Sequence, residues 1–209
     1  MTGCTRWSRA AAGLAAAALL GACSGTKLPD RFHTLLDRDH EGVPPAVAAR
    51  PFYVDLLPVQ VPPQVDHAQW VLRQPDDSLL MLEQDRWAAP LADELRGALV
   101  DRLAARWGAI DVRGVAMPVT AAWRVRVDVQ RFESISGREA RIEGTWSLAL
   151  AASRERGATT LVCRSAITES VTAPGVAPLA AAHRRAAARL ADEIGQRLQA
   201  LEAGGGASC

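Results

Sequence analysis

The most regular pattern along the chain is "WRVRVDV", where Trp123, Val125, Val127 and Val129 alternate with Arg124, Arg126 and Asp128. A period of two puts the apolar set on one side of a strand and the charged set on the other. Phe132 falls out of phase, which predicts a bulge near Arg131. After "SISGRE" the alternation returns. Ala140, Ile142, Trp146, Leu148 and Leu150 are interleaved with Arg141, Glu143, Thr145 and Ser147, and the short connection predicts a hairpin. "TTLVCRSAITESV" reads as a third, weaker strand.

Upstream, "RFHTLL" (31–36) has β-favouring character. "DRDHEGVPPAVAARP" (37–51) is a loop stiffened by Pro44 and Pro45. "FYVDLLPVQVP" is extended, with prolines that keep it from being a central strand along its full length. "QWVLRQ" (69–74) and "SLLMLEQ" (78–84) flank "PDD", a hairpin pattern. Helical periodicity occurs twice. Leu91, Leu95, Leu99 and Leu103 recur every four residues, with Pro90 tolerated in the first turn and Gly108 as the stop. His183, Ala187, Leu190, Ile194, Leu198 and Leu201 form the stripe of a last helix over about 177–202.

This order predicts an α+β fold: a single domain with a mainly antiparallel sheet and two principal helices packed on one face. Apolar residues make up 49% of the 209, enough for a core at this length. The net charge of +1 and the lack of any block of like charge exclude nucleic acid as the expected partner. Lys27 is the only lysine, a compositional bias rather than a recognition surface.

The opening segment changes the picture. Arg6 and Arg9 precede the apolar run "AAGLAAAALL", too short to span a bilayer but suited to a signal peptide. It ends in Leu20-Gly21-Ala22-Cys23, which resembles the lipobox of bacterial lipoproteins. That resemblance implies cleavage between Ala22 and Cys23, with a diacylglycerol on the Cys23 thiol and an acyl chain on its new amino terminus. Ser24 after the cysteine suggests the outer membrane. The expected division is a signal over 1–22, a lipidated tether over 23–30, the α+β domain over 31–202 and a flexible tail over 203–209. Cutting at Cys23 leaves 187 residues, with 22 basic against 23 acidic. Cys163 and Cys209 then remain as a pair that could form a disulfide in an oxidising compartment.

Catalytic patterns are absent. None of His33, His40, His67 and His183 has a partner at metal-ligand spacing, and there is no CxxC, HExxH, phosphate loop or GxSxG elbow. No metal or cofactor is expected beyond the acyl groups on Cys23. His183 on its apolar stripe reads as a packing residue, and Asp66 beside His67 as a loop contact, though that pair and the charged cluster at 83–95 are the only basis for a periplasmic enzyme. Arg124, Arg126 and Arg141 are expected to share a wet face with Asp128 and Glu143, either pairing across strands or presenting a headgroup or partner surface.

The remaining cluster is "EQDRWAAPLADEL" (83–95). It reads as a strand-to-helix joint: Leu80 and Leu82 finish the strand, Trp87 packs at the helix start, Asp85 is placed to cap the helix, with Glu83 or solvent as the alternative, and Arg86 pairs with Glu83 or Asp85. A partner-contact role for Arg86, Trp87, Pro90 and Leu91 is the alternative.

Several stretches together resemble a known family. They are Phe32-His33-Thr34-Leu35, "PVQVPPQVDHAQWVLR", Arg86-Trp87-Ala88 with Pro90 and Leu91, "VRVDVQRFES" and "IEGTWSLAL". They are similar to the PqiC (YmbA) family, the auxiliary lipoproteins of MCE-type ABC transport systems. The family pattern has two tyrosines where Phe32 and His33 stand. The resemblance implies a non-enzymatic lipoprotein on the periplasmic face of the outer membrane, a homo-oligomer partnered by a periplasm-spanning MCE protein with its ABC permease and ATPase. A role in lipid traffic and envelope integrity follows. The competing expectation is a carrier that itself holds an acyl chain between sheet and helices.

Overall fold

The computed structural model describes residues 28–37, 52–115, 121–150, 160–206 and 208–209. The signal segment, Ala22, Cys23, His40, Pro44 and Pro45 lie outside them. In chain order the elements are β1 (Arg31–His33), β2 (Phe52–Leu56), a 3-10 turn (Pro63–Val65), β3 (Gln69–Arg73), β4 (Leu79–Trp87), α1 (Leu91–Trp107), β5 (Ala109–Asp111), β6 (Trp123–Ile135), β7 (Glu139–Leu150), β8 (Thr160–Ser170) and α2 (Val176–Glu202).

The α+β class is as the pattern implies, but the strands divide into two mixed sheets, β1-β4-β3 and β5-β2-β6-β7-β8. The β6–β7 hairpin read from the alternation and the β3–β4 hairpin read around "PDD" are both present, and the third strand, β8, pairs antiparallel with β7. The β6–β7 register shifts between Val129 and Arg131, the bulge that Phe132 betrays. β1–β4, β2–β5 and β2–β6 are parallel. Parallel neighbours need a long crossover rather than a tight turn. The chain between β2 and β5 supplies one by passing through β3, β4 and α1.

Alternation decides what is buried. Trp123, Val125, Val127 and Val129 of β6 and Ala140, Ile142, Trp146 and Leu148 of β7 point into the core. The helices cover that side: α2 lies across β7 and β8, and α1 packs beside α2 next to β5. Leu91, Leu95, Leu99 and Leu103 are fully buried, and Gly108 ends α1 at φ 66° with its N–H on the Ala104 and Leu103 carbonyls. On α2 the stripe from His183 to Leu198 is buried.

The two helices are locked by one acid. Asp192 accepts from Arg102 Nε and Nη2 at 3.0 and 2.7 Å and from Trp107 Nε1 at 3.1 Å. Directly below, Gly195 lets the Trp107 ring approach so closely that an added Cβ would lie 2.5 Å from it. The first strand stops at His33 because the chain then turns onto α1. Glu94 Oε2, buried, accepts from Thr34 Oγ1 at 2.7 Å and from the Leu35 N–H at 2.8 Å.

Candidate functional site

The stretch from Glu83 to Trp87 is not a joint. It is strand, and β4 runs through Trp87 before residues 88–90 turn into α1. This corrects the expected roles of its charges. Asp85 does not cap α1, whose N-terminus has no side-chain cap. It is buried and pairs across the parallel ladder with β1, accepting from Arg31 Nε and Nη2 at 3.0 and 2.5 Å and from His33 Nε2 at 2.8 Å. Burial works to raise the Asp85 pKa, but the hydrogen bonds from Arg31 and His33 outweigh it and hold the carboxyl below its usual range. Arg86 pairs with neither Glu83 nor Asp85 as an acid. Its Nε lies 3.4 Å from Asp30 Oδ2 and donates to the Glu83 carbonyl at 3.3 Å.

Behind Asp85 sits an aromatic cluster. Trp87 stacks on Trp70, and both rings meet His183 of α2 edge-on. His183 stacks flat on Phe132 at 4.0 Å. Its Nε2 shares a 2.8 Å hydrogen bond with Ser134 Oγ, while its Nδ1 and Trp70 Nε1 have no protein partner. Complete burial lowers the His183 pKa to about 3, so the ring is neutral. Among the described residues no acid stands behind the ring at Nδ1. The cluster joins the small sheet to the large one and to α2.

Of the four family-motif residues, Trp87 and Leu91 are in the core, whereas Arg86 is half-buried and Pro90 is exposed. Ala88 and Phe32, the latter opposite Arg86 on β1, are also exposed, so the reachable part of the motif is Arg86, Ala88, Pro90 and Phe32. Asp66 and His67 are both exposed and form no described contact with each other. On the open face of the large sheet Arg124 reaches Asp55, Arg141 reaches Glu139 and Glu143, and Arg164 joins Glu143. Arg124 and Arg164 are exposed, so their pairs contribute little stability each. The sulfurs of Cys163 and Cys209 are bonded, with Cα atoms 5.5 Å apart.

Sequence reading passed over Arg31, Glu94 and Asp192, whose partners lie 54, 59 and 90 residues away. No local spacing announces them. Among the described residues no group of acids, histidines and cysteines could hold a metal, and no helix is long and apolar enough to cross a membrane. A groove of about 480 Å³ runs between the helices, lined by Leu35, Ala98, Arg102, Arg184, Arg189 and Asp192. Its arginines are engaged: Arg102 with Asp192, Arg189 with Glu169 and Arg184 with the Thr34 carbonyl.

The fold has solved counterparts. A crystal structure of an uncharacterized protein gives a TM-score of 0.63 at 16% identity, over 82% of this chain and 99% of that one. A crystal structure of a Xanthomonas campestris protein of the DUF330 family gives 0.55 at 17% identity, over 79% and 92%. At such identities the likeness concerns the fold alone. No curated protein matches the sequence. The model of the ABC-type transport auxiliary lipoprotein components matches residues 33–195, most of the described domain, and the chain belongs to that family, the PqiC/YmbA family.

Proposed function

We propose that this protein is a lipid-anchored docking component of an MCE-type ABC transport system. It is held by Cys23 on the periplasmic face of the outer membrane and engages the periplasm-spanning MCE protein that works with the permease and ATPase. Its role is to support lipid movement between the membranes by association, without catalysis of its own. The observation that carries this reading is the family match over residues 33–195, starting ten residues after a lipobox cysteine. The filled interior supports it: the space between sheet and helices is taken by Leu56, Val125, Leu148, Leu179, Ile194 and their neighbours. That weighs against a carrier holding an acyl chain there.

Co-purification of the acylated protein with the MCE protein encoded beside it tests the proposal. Association is expected, and Arg86→Glu together with Phe32→Ser is expected to abolish it at an unchanged melting temperature. Failure of the parent protein to associate in lipid-containing detergent would overturn the docking role.

A further inference from the structure

Three consecutive large apolar side chains stand in water at the start of β4. Leu79, Leu80 and Met81 are each 46% exposed. Successive strand residues point to opposite faces, so exposure at three in a row means that neither face is covered there. β1 pairs only with Asp85 to Trp87, so the earlier part of β4 also has β3 as its single strand neighbour.

The same pairing fixes where the N-terminal chain comes from. β1 is parallel to β4, so the residues ahead of Arg31 lie toward the start of β4. Asp30 stays beside β4 through its ion pair with Arg86. Leu28, 71% exposed, is three residues ahead of Arg31 and by register comes level with Leu82. From that level to Leu79 is three residues, roughly 10 Å of strand. Leu28 is five residues on from Cys23, a reach of at most about 18 Å. An acylated Cys23 therefore places the entry of its tether at this end of the small sheet.

We propose that Leu79, Leu80 and Met81, with Leu28, form a membrane-contact patch that seats in the interface of the bilayer holding the Cys23 anchor. The inference rests on the lipid-anchor reading above. The occupant is a phospholipid surface because the tether ends beside the patch and keeps it within about 28 Å of one. Asp76, Asp77 and Glu83 flank the patch and are exposed. They suit neutral headgroups and stay in the headgroup layer while the apolar side chains enter the interface, about 5–10 Å deep. With the anchor as one point of attachment and the patch as a second, the domain is oriented on the membrane.

The test uses the acylated protein carrying Leu80→Cys or Met81→Cys, where the new thiol is the only free one. An environment-sensitive dye on it is read in vesicles of phosphatidylcholine and phosphatidylethanolamine, with and without a quencher on the lipid chains. Ile110→Cys is the control, since Ile110 is 44% exposed on β5, at the opposite end of β6 from the Arg73–Glu133 pair that marks the small sheet. Labels at 80 and 81 are expected to shift to the blue and be quenched by the lipid, and the label at 110 to do neither. A protein that floats with vesicles while labels at 80 and 81 stay in water overturns the patch and leaves the anchor standing. A blue shift without lipid quenching means that a second copy or another protein covers the residues, and also overturns it. A chain that mass spectrometry finds unacylated, and that does not float, removes the anchor reading and the patch with it.

Discussion

The indole of Trp87 stacks on that of Trp70, with ring centroids 4.1 Å apart and 26° between the planes. Both rings are buried, Trp87 at 4% exposure and Trp70 at none. Trp87→Ala removes one half of the joint between the two sheets and is expected to cost about 3–5 kcal/mol of stability in urea unfolding. Trp70→Ala should cost a similar amount, and the double variant less than the two added, because each ring is the other's partner. A parental unfolding midpoint in Trp87→Ala would place its role at a surface instead.

Acid is expected to act in two windows. His183 has a pKa of about 3 in the fold against an ordinary value near 6.5. Between these values the unfolded chain binds a proton that the fold rejects. Stability contributed by the neutral ring is thus complete above pH 6.5 and falls as pH drops toward 3, by about 1.4 kcal/mol per pH unit. Asp85 acts lower, since its folded pKa lies below 3.8: its contribution is present above that value and lost as pH falls through the folded one. Denaturant midpoints measured from pH 7 to 3 check both. His183→Phe should flatten the upper window, and Asp85→Asn should lose its deficit relative to the parent only in the lower one.

Linking Cys163 to Cys209 spans 46 residues and includes all of α2. Cys209→Ser, or reduction of the parent, is expected to lower stability by about 2–4 kcal/mol. Thiol counting on the unfolded, unreduced protein gives the complementary reading. No free thiol from this pair is expected, and two would show that the bond does not form.

Gly195 is a contact residue on α2. Gly195→Ala would gain helix propensity if the site were open, but its methyl meets the Trp107 ring. The expected result is a loss of about 1–3 kcal/mol. Adding Trp107→Leu should recover part of it, and a stabilised single variant would contradict the packing.

Regular periodicity made half of this architecture readable. Leu91 to Leu103, Gly108, the alternation in β6 and β7 and the slip at Phe132 each report a local constraint, and each falls where the sequence places it. The β3–β4 hairpin of the small sheet was legible, but its parallel pairing with β1 was hidden for a physical reason. Glu83, Asp85 and Arg86 make the end of β4 look like a polar joint, whereas Asp85 is buried because Arg31 and His33 reach it from another strand. A parallel pairing between segments 54 residues apart leaves no mark in either segment alone. The family motif shares this limit. Arg86 and Trp87 are adjacent in sequence, yet one is half-buried and the other lies in the core.

The short first strand has a mechanical consequence. Force arriving through the chain ahead of Leu28 acts along β1, parallel to β4. It loads in shear the ladder bonds, the Arg31 and His33 grips on Asp85, and the Thr34 and Leu35 bonds to Glu94. Such bonds share a load and yield together, where a peeled strand would lose them one at a time. Three residues of strand and two buried acids thus make the point through which a pull on the chain ahead of Leu28 enters the core.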